Sequence, residues 1–258
     1  MQDKIYLENV SKVFPGEREI EALSNVSFSV KENEFLCVLG PSGCGKTTLL
    51  NIIAGLETAT SGKILVDGKE VSKPGADRGV IFQSYALFPW KTVLGNIEFG
   101  PKLRGVSKKE RRELAMKYIK SMGLSGFENA YPKELSGGMK QRVAIARVYI
   151  NDPTVMLMDE PFANLDAQTR SIMQEELIDI WRKFRKTVFF VTHNIEEAVY
   201  LADRIVIMTC RPGKVKEIVD VKSLLPSNRY STEGKLSAEF IGLARKVWDS
   251  IKEEIKTI

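Results

Sequence analysis

Eight residues near the start of the chain have the types and spacing to hold a row of phosphates. Gly40, Pro41, Ser42, Gly43, Cys44, Gly45, Lys46 and Thr47 satisfy the pattern G-x-x-x-x-G-K-[ST] at every fixed position. Glycine lets backbone N–H groups turn inward without a Cβ in the way. A helix opening at Lys46 directs the positive end of its dipole at the anion. The Lys46 ammonium is expected to reach the β- and γ-phosphates of a nucleotide, and the Thr47 hydroxyl to coordinate Mg2+. Cys44 reads as a spacer in the loop, not as a nucleophile.

Three further constellations could serve the same chemistry. Val155, Met156, Leu157 and Met158 form an apolar run that ends in the adjacent carboxylates Asp159 and Glu160. Alone, such a run reads equally as a strand with a solvated end. Beside a phosphate loop, Asp159 is placed to hold Mg2+ through its water shell and Glu160 to polarise an attacking water as general base. His193, the only histidine, directly follows the apolar run 187–192. An isolated histidine is most often structural or simply exposed; its place after a core strand points to the γ-phosphate side. Ser136, Gly137 and Gly138, within LSGGMKQR, can cap a helix and let its backbone approach a ligand closely. This is either an ordinary capped helix with a glycine turn or a second phosphate-binding helix start. One nucleotide does not need two such cradles from one chain, so the economical reading gives this one to a nucleotide held by another copy.

The elements that must position these residues follow from hydrophobic periodicity. Residues 5–10 and 23–30 alternate apolar and polar, as strands do. Residues 35–39 are continuously apolar and stop at the glycine loop, and 47–56 look helical, so the loop has the strand–loop–helix context it requires. Residues 64–66 and 79–82 are short strand candidates. From about 84 to 152 the chain is mostly helical, with turns at Pro89, Gly105, Gly123 and Pro132. In 108–122, Leu114, Met116 and Ile119 are expected to form the apolar face. Strands return at 155–158, 187–191 and 204–208, β-branched and apolar as buried parallel strands are, with helices at 168–184 and 195–202 between them. The predicted fold is α/β: a P-loop NTPase core with a RecA-like parallel sheet and N-terminal antiparallel strands, carrying an inserted helical subdomain. The core takes 1–83 and 154–220, the helical subdomain 84–153, and a helical tail 221–258. The stripe Phe240, Ile241, Leu243, Val247, Ile251 and Ile255 in the tail reads as a packing face, not a membrane anchor.

Bulk properties exclude several alternatives. The 258 residues are 43% hydrophobic and 28% charged, ordinary for a globular protein. The net charge of +5 is spread among 33 acidic residues with no long basic block, which argues against nucleic acid as a partner. The three cysteines form no C-x-x-C pair, so neither a zinc site nor a disulfide framework is indicated, and a reducing compartment suits them. With no signal-peptide core and no apolar run of about 20 residues, a soluble, cytoplasmic chain is expected, one that docks onto something else if it works at a membrane.

Taken together in their order, these motifs resemble those of the ABC ATPase family, over about residues 4–220. The resemblance implies ATP and Mg2+ as ligands. Phe14 would stack on adenine. The loop from Gly40 to Thr47, with Thr48 next to it, would bind the phosphates. Gln83 would touch Mg2+ and the hydrolytic water and sense the membrane partner. Ser136, Gly137 and Gly138 would act in trans. Thr47, Gln83 and Asp159 would surround the metal, and Glu160, His193 and Gln83 would be catalytic. Asn164, Leu165 and Asp166 would lie in the loop that follows the carboxylate pair. Within the family, SYALFPWKTVLGNIEFG and MDEPFANLDAQTR resemble the nitrate/sulfonate/taurine import group, whose members also handle bicarbonate and thiamine precursors. That implies a homodimer at the cytoplasmic face of the cell membrane. A transmembrane permease subunit would dock from Ser84 to Gly100, and a periplasmic or extracellular solute-binding protein would complete the complex. An exporter ATPase, or a soluble relative acting on nucleic acid, shares the phosphate chemistry. Met139, Asn164 and Asn194 depart from the commonest family residues; Met139 is usual in the import group.

Overall fold

A computed structural model describes residues 3–225 and 227–255. The chain opens with the long strands β1 (Asp3–Phe14) and β2 (Ile20–Lys31); β3 (Phe35–Leu39) then leads through the glycine loop into α1 (Lys46–Ala54). Next come β4 (Ser61–Val66), β5 (Lys69–Glu70) and β6 (Arg78–Ile81). The helices α2 (Val93–Ile97), α3 (Phe99–Leu103), α4 (Lys108–Ser121) and α5 (Gly137–Tyr149) follow without an intervening strand. The second half alternates: β7 (Val155–Asp159), α6 (Ala167–Phe184), β8 (Thr187–Thr192), α7 (Ile195–Leu201), β9 (Arg204–Met208) and β10 (Val215–Asp220). The tail holds α8 (Val221–Leu224), α9 (Thr232–Lys235) and α10 (Ala238–Ile255).

Two sheets result. β2-β1-β4-β5 is antiparallel, and β10-β9-β3-β8-β7-β6 is parallel except for β10, which runs antiparallel to β9. The apolar runs of the central strands are explained by cover on both faces. In β3, Leu36 and Val38 join a core shared with α1 and the antiparallel sheet, whereas Phe35, Cys37 and Leu39 join a second core with the helices. β7, β8 and β9 alternate in the same way, with Leu157, Phe189 and Val206 on one side and Met158, Phe190 and Ile207 on the other. Ile97, Ile119 and Ile145 of the helical stretch belong to that second core, continuous with the sheet.

Three expectations need correction. The sequence pattern does not mark β10, an edge strand whose side chains are mostly half-exposed. In α4 the buried face is Ala115 and Ile119, with Leu114 and Tyr118 partly buried, while Met116 points to solvent, because at 100° per residue it lies a quarter-turn off that face. In α10, Phe240, Leu243, Val247 and Ile251 pack as expected but Ile241 is exposed. The side chain of Ile255 and residues 256–258 lie outside the described part. Lys216 of β10 pairs with Glu253 and Glu254 at 2.8 and 2.9 Å, which ties α10 to the sheet edge. No helix among the described residues is long and apolar enough to cross a membrane.

The two faces of α10 give a direct check. Ile251→Ala is expected to lower unfolding free energy in urea by about 2–5 kcal/mol, and Ile241→Ala on the exposed face to change it by no more than about 0.5 kcal/mol.

Candidate active site

β3 delivers the chain into the loop from a fully buried strand, and the loop's glycines are dictated by close neighbours. A Cβ on Gly45 would lie 2.7 Å from both the Ala22 carbonyl oxygen and Leu23 Cδ2, and its φ of +97° is left-handed. Only glycine tolerates both constraints. Gly45 is also the residue ahead of α1 and supplies no side-chain cap, so the first N–H groups of α1 are left for a ligand. The Lys46 ammonium is buried and donates to the carbonyls of Gly40 and Pro41, both at 2.8 Å. The lysine is thus satisfied by carbonyls of its own loop. Burial pushes the Cys44 thiol up against the opposing pull of Lys46, which suits a spacer and not a nucleophile.

The sheet order places β8 between β3 and β7, so the parallel C-terminal ends of all three strands lie together. At this edge Thr47 Oγ1 donates to Asp159 Oδ1 at 3.0 Å. Burial raises the Asp159 pKa; the Thr47 hydrogen bond opposes this, the Glu160 charge adds to it, and Lys46 opposes it. Glu160 has φ +43°, a left-handed conformation unusual for a non-glycine residue. Its N–H donates to the Val191 carbonyl at 3.0 Å, and its Oε2 lies 2.9 Å from His193 Nδ1. A carboxylate and an imidazole in contact can share or exchange a proton. Thr47 and Asp159 offer two hard oxygen donors within hydrogen-bond distance, a set that fits Mg2+.

A cleft of about 380 Å3 opens over the loop, lined by Phe14, Ser42, Lys46, Thr47, Thr48 and Glu160, with Gly43 and Gly45 below. The structure therefore brings together Phe14, the loop, Asp159, Glu160 and His193. It does not bring in Gln83, whose exposed side chain lies outside the cleft wall while its carbonyl accepts from Asn164 Nδ2 at 3.1 Å. Nor does it bring in Ser136, Gly137 and Gly138. Ser136 caps α5 as expected, accepting from the Met139 N–H. The glycines are close to their own chain: a Cβ on Gly137 would lie 3.1 Å from Leu165 Cδ2, and one on Gly138 3.4 Å from Thr169 Cγ2. Asn194, in place of the commoner aspartate, caps α7 by accepting from Glu197 N–H at 3.0 Å.

Sequence reasoning missed Arg211, which comes from the turn after β9 and also lines the cleft. It donates through Nε and Nη2 to the Gly43 carbonyl at 3.4 and 3.3 Å. No motif announces it, since only the pairing of β9 with β3 carries it there. Ile20 and Ala22 join the wall from β2 of the antiparallel sheet. Arg211→Ala is expected to raise the KM for ATP by about 3- to 10-fold, the loss of roughly one hydrogen bond to the loop, and to leave kcat within about twofold.

Comparison with known proteins agrees with this geometry. The family described as "ABC transporter" matches residues 23–163. The chain is 57% identical to an uncharacterized ABC transporter ATP-binding protein of Methanocaldococcus jannaschii, over 99% of this chain and 94% of that protein. It is 52% identical to the nitrate import ATP-binding protein NrtD of Synechocystis, over 89% of this chain and 86% of that protein. Among solved structures, the dimeric post-hydrolysis state of the ATP-binding cassette MJ0796 bound to ADP and Pi superposes with a TM-score of 0.73 at 36% identity, covering 84% of this chain and 98% of that one. The chain belongs to the ABC transporter family, as one of its ATPases.

Proposed function

We propose that this ATPase works as a homodimer that powers an importer of a small solute of the nitrate, sulfonate, taurine, bicarbonate or thiamine-precursor kind. The observation that carries the reading is the pair of contacts at one sheet edge, Thr47 with Asp159 and Glu160 with His193, beside a phosphate loop. Support for the dimer comes from the placement of Ser136, Gly137 and Gly138 outside their own chain's cleft. A dimeric relative bound to ADP and Pi, and an import protein for nitrate among close relatives, point the same way.

In this reading Lys46 leaves the Gly40 and Pro41 carbonyls for the β- and γ-phosphates of ATP, while Phe14 stacks on the adenine. Loop N–H groups and Thr48 take the remaining phosphate oxygens. Thr47 and Asp159 would hold Mg2+, which would neutralise charge on the phosphate oxygens, and Gln83 would join them only by turning in from its exposed position. Glu160 accepts a proton from the attacking water, and His193 holds the Glu160 carboxylate in place and faces the γ-phosphate. Ser136, Gly137 and Gly138 of the second copy close over the same nucleotide. Residues 1–83 and 154–220 act as the nucleotide-binding body, 84–153 as a helical subdomain and 221–258 as a tail.

The stretch from Ser84 to Gly100 would receive a transmembrane permease, which would place the chain at the cytoplasmic membrane face together with a solute-binding protein. Arg147 supports this stretch by donating to the carbonyls of Tyr85 and Ala86 at 3.1 and 2.6 Å. Loading and loss of the γ-phosphate would close and reopen the dimer and so move the docked partner.

Glu160→Gln is expected to lower turnover by about 10²–10⁴-fold, the usual scale for losing a general base, and to accumulate an ATP-bound dimer on size exclusion. Normal turnover in that variant overturns the role given to Glu160. Co-purification with an import-type permease, and not with an exporter's membrane domain, settles the direction of transport.

A further inference from the structure

Behind the Glu160–His193 contact lies a small cavity of about 20 Å3, walled by Glu160, Arg170, Thr192, His193, Asn194 and Glu197. A single water needs roughly 10–15 Å3 and several polar partners, and this space offers both. Three of its walls are the catalytic pair and the segment that carries His193. The other two charged groups, Arg170 from α6 and Glu197 from α7, have no place in the mechanism above.

Each of them is held on purpose-fitted partners. Glu197 is buried, which is costly for a carboxylate unless it is compensated. It accepts from Gln174 Nε2 at 3.1 Å and from the Thr192 hydroxyl, and its own N–H donates to Asn194 Oδ1 at 3.0 Å. Two of its three hydrogen bonds thus fall on the residues flanking His193. Burial still raises its pKa, opposed by the bonds from Thr192 and Gln174 and by the charge of Arg170. Arg170 donates through Nη2 to the Leu165 carbonyl at 2.9 Å, in the loop that follows Glu160. Its Nε is buried with no hydrogen-bond partner in the protein. A buried N–H of this kind costs about 1–3 kcal/mol when left unmet, and Arg170 lines the cavity in which a water could meet it.

We propose that Arg170 and Glu197 are positioning residues for the Glu160–His193 pair, joined to it by one water held in this cavity. Arg170 ties the loop after Glu160 to that water, and Glu197 fixes Thr192 and Asn194 so that His193 stays in contact with Glu160. The two arms, one on α6 and one on α7, make the position of the base depend on the loop at Leu165 and Asp166 and on the segment at His193 together. The inference rests on the reading of Glu160 as the general base.

Single-turnover hydrolysis of ATP by the full chain, which resolves slow rates, tests it. Arg170→Met and Glu197→Gln are expected to lower the single-turnover rate by about 10- to 100-fold, the scale of misplacing a catalytic group by about an ångström. The half-saturating ATP concentration should stay within about twofold, because neither side chain touches the phosphate loop. In a Glu160→Gln background the same substitutions should add less than about twofold, since the base they position is gone. A full additional loss in that background would mean a general structural role and would overturn the proposal, as would an unchanged rate in both single variants. If Arg170→Met fails to fold, Glu197→Gln, which preserves side-chain size, carries the same cycle. Failure here is distinct from failure of the general-base reading, which normal turnover in Glu160→Gln would show.

Discussion

The parallel register of β3, β8 and β7 is the constraint on which the rest depends. These strands carry, at their C-terminal ends, the phosphate loop, His193 and the Asp159–Glu160 pair. His193 reaches Glu160 between the neighbouring ends of β8 and β7, and Thr47, in the first turn of α1, reaches Asp159 past the end of β8. Ligands of open α/β sheets gather at this edge for the same reason: backbone and helix N-termini converge there. A slip of one residue would turn every side chain of a strand to the opposite face and mismatch the packing there, so buried faces make the register secure. The two cores that share each central strand supply that security.

The edge so formed is polar and partly buried, and its groups are balanced against one another. In the structure Lys46 is satisfied by its own loop carbonyls and Thr47 by Asp159. Each of these contacts is an interaction that nucleotide and metal can replace without leaving a buried charge unpaired. Glu160, in a left-handed conformation and held by the Val191 carbonyl, is the residue where local backbone preference gives way to placement. The chain nonetheless presents a cleft open on one side. The glycines after Ser136 pack on Leu165 and Thr169 and so line up with the loop that follows Glu160, away from the cleft of their own chain.

Much of this was legible in the sequence because phosphate chemistry restricts residue type at fixed spacing. The loop at 40–47, the carboxylates after a continuous apolar strand, and a lone histidine after another all fall at one edge of the sheet, where the strand order gathers them. What could not be read was whatever depends on distant chain segments meeting. Arg211 enters the cleft from a turn beyond β9, and Arg170 and Glu197 meet across two helices; each is an ordinary charged residue on its own element. The larger apolar Met116 is a poor guide to the phase of α4, because the small Ala115 and the partly buried Tyr118 share its inward face with Ile119. β10, half-exposed at the sheet edge, lacks the alternation that marks a strand.

The central claim is that the loop around Lys46 and the motif at Ser136 complete each other between copies. The most direct measurement pairs a Lys46→Ala chain with a Ser136→Arg chain, both in a Glu160→Gln background, and counts ATP retained in the dimer. Shared sites predict that neither chain alone forms an ATP-bound dimer, whereas the mixed dimer concentrates both lesions in one site and keeps one ATP in the other. An absence of ATP-bound dimer in the mixture, or its formation by the Ser136→Arg chain alone, would contradict the account.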